Sequence, residues 1–257
     1  MILVAGGTGR LGTALVTRLV GRGEQARVLT RDPGRAAHLP AVEIVRGDVR
    51  DAAAVAAAMD GADAVVSAVH GFAEWRASPA SVDRDGNGNL IDAAARAAAH
   101  VVLVSVIGAS PHHPLELFRM KAAAEDLLRA AGVPWTVVRA AAFLELYEEL
   151  LRRTAGRSGR PLVFGAGRTP VVFASVADVA EAVDRALADP ACRGRVVEVT
   201  GESLTFDQLA ARQEASLGAG ARRPRHVPRP VLRALAVAGG TPPGRQAAAA
   251  LVMDSSA

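Results

Sequence analysis

Near the start of the chain, Gly6-Gly7-Thr8-Gly9-Arg10-Leu11-Gly12 sets glycines at positions 6, 9 and 12, directly after an apolar run over residues 2–5. Behind the loop, Leu11, Ala14, Leu15 and Leu19 recur at helical spacing. In a strand–loop–helix context the first glycine makes the tight turn. The second lets backbone approach a pyrophosphate, and the third lets helix pack on strand. The helix N-terminus then offers N–H groups and a partial positive charge to phosphates. The chemistry implied is dinucleotide binding, with Gly6, Thr8, Gly9, Arg10, Leu11 and Gly12 as the contacting set; the alternative is a plain βα turn.

The next apolar run ends in Thr30-Arg31-Asp32. A carboxylate at that strand end would bind a ribose 2′-hydroxyl. Arg31, with Arg10 in reach, instead suits a 2′-phosphate, because the guanidinium fork matches phosphate oxygens. NADP(H) is therefore expected, with NAD(H) as the alternative. Asp32 either swings to a ribose hydroxyl or pairs with Arg35. Asp48 either accepts from the adenine amine, with Val49 packing on the ring, or caps the following turn. Ala68 and Val69, ending the fourth run, complete this part of the expected set.

Lys121 is the chain's single lysine against 29 arginines. Leu117, Ala124 and Leu128 stand at i−4, i+3 and i+7 from it, so it points where core side chains point. An ammonium there can donate to ribose hydroxyls and lower the pKa of a neighbouring acid; the alternative is a snorkelling side chain at the stripe's edge. Ser105 ends a strand sixteen residues earlier, where ligands bind in such sheets; the alternative is a serine satisfied within the fold at a strand end. His112 and His113 follow in the loop, and His113 is a candidate proton donor; the alternative is that both are plain loop residues before Pro114. Tyr147, the only tyrosine, is a weaker one.

The elements that must position these groups alternate. Strands are expected at 2–5, 26–30, 42–45, 64–69, 101–106 and 135–139. A helix follows Asp51, a good N-cap, and others are expected over about 81–99 and 115–131, the last stopping at Gly132. This pattern predicts an α/β fold, a doubly wound parallel sheet of Rossmann type, with residues 1–140 as the dinucleotide-binding core. Residues 141–257 mix elements returning to the sheet (a helix through Val176–Leu187 and a strand at 196–199) with a smaller C-terminal substrate lobe. Its other expected elements are a helix at 143–153, strands at 161–164 and 171–173, and a helix at 205–217. A lobe over the strand ends is where a small-molecule pocket would form. Residues 241–257 are Ala-rich and carry no clear pattern.

Composition narrows the function classes. Aromatics are 4% of the chain, so the core is Ala, Val and Leu. One cysteine, Cys192, leaves no disulfide framework or zinc cluster and fits a reducing cytoplasm, and no metal is expected. The apolar start meets glycine without a basic n-region, and no uncharged apolar run suits a membrane span. The cluster Arg222, Arg223, Arg225, Arg229 and Arg233 reads as a solvated basic face broken by prolines rather than a nucleic-acid surface.

Together these features resemble the short-chain dehydrogenase/reductase superfamily, and more closely its atypical NmrA-like, NAD(P)H-binding branch, over about residues 1–200. The motifs are Gly6 to Gly12, Gly47-Asp48-Val49, Asp83-x-x-Gly86-Asn87-x-Asn89-Leu90, Ser105-x-x-Gly108, Lys121-x-x-x-Glu125, Gly132-Val133-Pro134-Trp135-Thr136-Val137-Val138-Arg139 and Val176-Ala177-Asp178-Val179-Ala180. The resemblance implies that Ser105 and Lys121 match the superfamily's serine and ribose-binding lysine, and that Ala140 and Phe143 line the nicotinamide side. The catalytic tyrosine's position is held by Leu117, and the active-site asparagine falls near Asp83. Three functions follow: a reductase of a quinone, enone or carbonyl compound working without tyrosine; a non-catalytic NADP(H) sensor with a protein partner; or a non-redox cyclase or isomerase.

Overall fold

In the computed structural model, residues 1–217 and 223–255 are described. Along the chain run β1 (Ile2–Ala5), α1 (Arg10–Gly21), β2 (Ala26–Thr30), β3 (Glu43–Arg46), α2 (Ala52–Met59), β4 (Ala64–Ser67), α3 (Asp85–Arg96), β5 (His100–Val106), α4 (Glu116–Ala130) and β6 (Trp135–Ala140). Then come β7 (Ala142–Phe143), α5 (Leu144–Ala155), β8 (Leu162–Phe164), β9 (Val171–Ala174), α6 (Val176–Ala188) and β10 (Arg195–Val199). The chain continues through β11 (Ser203–Leu204), α7 (Phe206–Leu217), β12 (Arg225–Val227), α8 (Arg229–Ala236) and α9 (Pro242–Met253).

Seven strands form one sheet in the order β10-β6-β5-β4-β1-β2-β3, every pair parallel. This is the doubly wound Rossmann arrangement, and the strand order reverses between β1 and β4, where such sheets open their ligand crevice. β1 and β4 are buried at every position, as strands covered on both faces must be. Leu3, Val65, Leu103 and Val137 point into one core cluster with Leu90 and Leu128. α1 packs with α6, while α2, α3 and α4 pack in series.

The chain divides into two compact units. The first is Met1–Gly71, Arg76–Ala140 and Val176–Val199, so α6 and β10 belong with the large sheet. The second is Phe72–Trp75, Ala141–Ser175 and Thr200–Ala257. It holds a three-stranded sheet, β11-β9-β7, and the parallel pair β8 and β12, around Leu151, Val163, Phe173 and Leu209.

Three departures from the expected elements have local causes. The helix expected over 81–99 opens as a π-turn, Ala80–Arg84. It ends early because Ala98 takes φ +50, the left-handed stop that a glycine usually supplies. The last stretch forms α9, whose start is a Thr241 cap, its hydroxyl accepting from Gly244 N at 3.2 Å, with Pro242 in the first turn. Among the described residues no helix is long and apolar enough to cross a membrane, and no cluster of three metal-ligating side chains occurs.

Candidate cofactor and active site

The glycine loop joins β1 to α1 with no room for side chains. Gly6 has φ +86, and a Cβ there would lie 2.5 Å from the Ala68 carbonyl oxygen. A Cβ on Gly12 would lie 2.1 Å from the Gly6 oxygen and 2.6 Å from Gly7 Cα. Gly9 N donates to Gly6 O at 3.0 Å, closing the turn. α1 starts without a side-chain cap and without an acidic residue in its first turn. Such a helix end suits an anion. Arg10 is exposed and Thr8 half-buried at its mouth, whereas the Leu11 side chain turns into the core, leaving only its backbone to face a ligand.

At the end of β2, Arg31 is exposed and Asp32 is already engaged. Asp32 Oδ1 accepts from Gly34 N at 3.0 Å and caps the short turn Pro33–Ala36, a third outcome beyond ribose or Arg35. Asp48 likewise caps its own turn. Its Oδ1 accepts from Arg50 N at 2.9 Å, and the Arg50 guanidinium reaches both carboxylate oxygens at 3.0 and 2.6 Å. Those Arg50 bonds, helped by the charge of Arg31, hold the Asp48 carboxyl below the usual range. Val49 is buried in the core, its carbonyl accepting from Asn89 Nδ2 at 2.8 Å.

Lys121 lies on the core side of α4, where its helical spacing puts it, 4% exposed. Its Nζ is surrounded: Val69 O at 2.9 Å, Val104 O at 3.0 Å and Asp83 Oδ1 at 3.0 Å. Ser105 is 1% exposed, and its hydroxyl donates to Glu125 Oε1 at 2.6 Å. Glu125 also receives Arg139 Nε at 3.0 Å and Nη2 at 2.7 Å, and Arg129 Nη2 at 2.7 Å. Both superfamily positions thus sit in buried polar networks rather than with open side chains.

His113 stacks on Phe118, centroids 3.9 Å apart, and its Nδ1 accepts from Leu115 N at 3.1 Å. Burial, ahead of the nearby Arg119 charge, pushes the imidazole below its ordinary pKa. The neutral ring therefore carries its proton on Nε2. His112 is exposed, its N–H donating to Ser110 Oγ. Ala140 is buried at the end of β6, its carbonyl accepting from Ile107 N at 3.0 Å. Ala68 N donates to Ala5 O at 2.9 Å, which ties the β4 exit to β1. Phe143 pairs with Ala174 inside the second unit.

Tyr147 belongs to an aromatic cluster with Phe173 and Phe206, its hydroxyl donating to Met253 Sδ at 3.3 Å, and burial pushes its pKa up to about 12. Tyr147→Phe is accordingly expected to leave turnover unchanged and to cost at most about 1 kcal/mol of stability. A large loss of turnover at constant melting temperature would reinstate it as a proton donor. Of the arginine cluster, Arg229 pairs with Asp254 at 2.7 Å, and Arg222 lies outside the described residues.

Glu125, Arg139 and Asp83 stood in the quoted motifs, but sequence spacing gave none of them the partner it has here: Ser105 and Arg139 for Glu125, Lys121 and Gly71 N for Asp83. A signal was present: Arg139 interrupts an apolar strand, and Lys121 and Glu125 are successive charges on one buried helix face.

A family profile described as NAD(P)H-binding matches residues 6–190. The chain is similar to an NAD(P)H azoreductase of Xenophilus azovorans, 30% identical over 225 residues, covering 85% of this chain and 74% of that one. It is 31% identical over 223 residues to a (4-alkanoyl-5-oxo-2,5-dihydrofuran-3-yl)methyl phosphate reductase of Streptomyces griseus, with the same coverage of 85% and 74%. Its fold matches that of an Escherichia coli NADPH-dependent quinone oxidoreductase solved with NADPH, with a TM-score of 0.78 at 23% identity, over 99% of this chain and 89% of that one.

Proposed function

The chain belongs to the NAD(P)H-binding family, in the NmrA-like branch of the atypical short-chain dehydrogenases/reductases, and from that premise we propose that it is an NADPH-dependent reductase of a small electron-poor acceptor. The observation that carries the cofactor choice is the end of β2: the residue directly after the strand is an exposed arginine, Arg31, and not a carboxylate, while Asp32 one place on accepts from Gly34 N and caps the next turn. The glycine loop fits a pyrophosphate: a Cβ at Gly6 or Gly12 would strike backbone, so only glycines close the turn against the start of α1, and that helix end has neither a side-chain cap nor an acidic residue in its first turn. Gly6, Thr8, Gly9 and Gly12, with the backbone of Leu11, hold the phosphates. Arg31 and Arg10 hold the 2′-phosphate, with Val49 and the Asp48 turn beside the adenine and Ala68, Val69 and Ala140 toward the nicotinamide.

Bound NADPH supplies the hydride. The residues around it decide which acceptors can use that hydride. Leu117 stands where a tyrosine would protonate the product, and the Ser105 proton is committed to Glu125. His113 holds a proton at Nε2 and can donate a hydrogen bond to an acceptor oxygen without transferring a full charge. Such a site suits quinones, enones and azo compounds, whose hydride adducts spread the incoming charge and take the balancing proton from water. The names of the two similar reductases support this class, since both denote unsaturated, electron-poor substrates.

The test is a fluorescence titration with NADPH and NADH, followed by addition of an acceptor panel. NADPH is expected to bind more tightly than NADH. Arg31→Ala is expected to weaken NADPH binding by about 10- to 100-fold, the worth of a charge-assisted phosphate contact, and to leave NADH nearly unchanged. Equal binding of both nucleotides, unmoved by the substitution, rejects the NADP(H) assignment. Tight binding with no oxidation by any acceptor rejects the reductase and leaves the sensor or non-redox functions.

A further inference from the structure

Three oxygens surround the Lys121 ammonium, and it has three N–H groups to give. Val69 O and Val104 O are hydrogen-bonded to it at 2.9 and 3.0 Å, and Asp83 Oδ1 is ion-paired at 3.0 Å. The Asp83 side chain is fully buried, and its other oxygen, Oδ2, accepts from Gly71 N at 2.8 Å. Asp83 reaches this place from the π-turn ahead of α3, whose irregular backbone is held by Asn87: Nδ2 donates to Asp83 O at 2.7 Å, and Oδ1 accepts from Ser67 Oγ at 2.5 Å. Gly71 lies close against the Ser78 carbonyl, where a Cβ would stand 2.3 Å from Ser78 O.

One ion pair therefore fastens four pieces of backbone: the chain leaving β4, the end of β5, the π-turn and α4. The segment it grips, residues 69–71, follows directly on Ala68, whose carbonyl is the atom packed against Gly6. We propose that Lys121 is a positioning residue that makes no contact with the cofactor. Paired with Asp83, it clamps residues 69–71 so that the wall beside the glycine loop keeps its shape. This departs from the ribose-binding role that the resemblance gives the lysine, and it rests on the NADPH reading above.

The experiment compares the wild type with Lys121→Met, Asp83→Asn and the double variant. Removing the lysine alone leaves a buried carboxylate without its counter-charge, whereas a neutral pair of similar shape is tolerated. An asparagine at 83 can still accept from Gly71 N through Oδ1 and donate toward the vacated carbonyls. Lys121→Met is expected to weaken NADPH binding at least about tenfold and to speed amide exchange over residues 69–71. The double variant is expected to recover affinity to within about threefold of the wild type, together with slow exchange. A double variant as weak as Lys121→Met overturns the proposal, because a lysine that touches the cofactor is missed whatever stands at 83. If the wild type binds no NADPH, the reductase reading falls. Exchange over residues 69–71 still decides the clamp: equal protection in Lys121→Met and the wild type overturns it.

Discussion

Gly12→Ala is expected to raise the dissociation constant for NADPH at least about 100-fold, equivalent to about 3 kcal/mol of lost binding. The new methyl would meet Gly6 O at 2.1 Å and Gly7 Cα at 2.6 Å. Both are backbone atoms, so no rotamer change relieves the clash; either α1 withdraws from the loop or the loop opens. Each response misplaces the N–H groups that hold a pyrophosphate, since they belong to the same seven residues. Overpacking of this kind also costs about 1–3 kcal/mol of stability, so the titration must be paired with thermal unfolding. Gly21→Ala in the same helix is the control: nothing lies within 4 Å of a Cβ there. It is expected to stabilise by about 0.5–1 kcal/mol and leave binding alone. A folded Gly12→Ala protein that binds NADPH as the wild type does would sink the phosphate assignment of this loop.

The glycine loop was legible because its whole argument is local: an apolar run, three spaced glycines and a helical stripe lie within twenty residues. The large sheet was legible for the same reason, and β1 and β2 match the expected ranges. Site side chains were harder to read. Asp32 and Asp48 each stand where one carboxylate can serve a ligand or cap a turn. The deciding partners, Gly34 N and the Arg50 guanidinium, compete on equal terms in sequence. Helical period put Lys121 on the buried face, but Asp83, Val69 and Val104 come from three other elements, and no spacing rule brings them together. Ser105 was expected at the ligand end of its strand; only the tertiary approach of α4 turns its hydroxyl to Glu125. The short strands β7, β11 and β12 lacked signal because two or three residues cannot show a period.

Glu125→Ala is expected to be the most destabilising change in the large unit, at about 3–5 kcal/mol. The carboxylate is fully buried and collects four charge-assisted or short hydrogen bonds: Ser105 Oγ at 2.6 Å, Arg139 Nε at 3.0 Å and Nη2 at 2.7 Å, and Arg129 Nη2 at 2.7 Å. Arg139 lies beside Ser105 in the β5–β6 register and also approaches Glu198 on β10 at 3.7 Å. Deleting the carboxylate takes the shared buried partner from two guanidinium groups, leaving Arg129 its pair with Asp126 and Arg139 the more distant Glu198. Glu125→Gln keeps the shape and one acceptor and should cost less. The pH dependence separates charge from shape. Burial alone would raise the Glu125 pKa, but hydrogen bonds from Arg139, Ser105 and Arg129 outweigh it, and the net shift is below the ordinary 4.5. A depressed folded-state pKa means that the unfolded chain takes up the proton first. The stabilisation is complete above about pH 4.5 and drains away as pH falls through the folded-state value. Urea unfolding across that acid window should show a steep loss in the wild type and a shallower one in Glu125→Gln. Identical slopes would assign the acid sensitivity to another group. Ser105→Ala completes the series: a hydroxyl that serves Glu125 lowers the unfolding midpoint and leaves kcat nearly intact, whereas a hydroxyl that serves the substrate does the reverse.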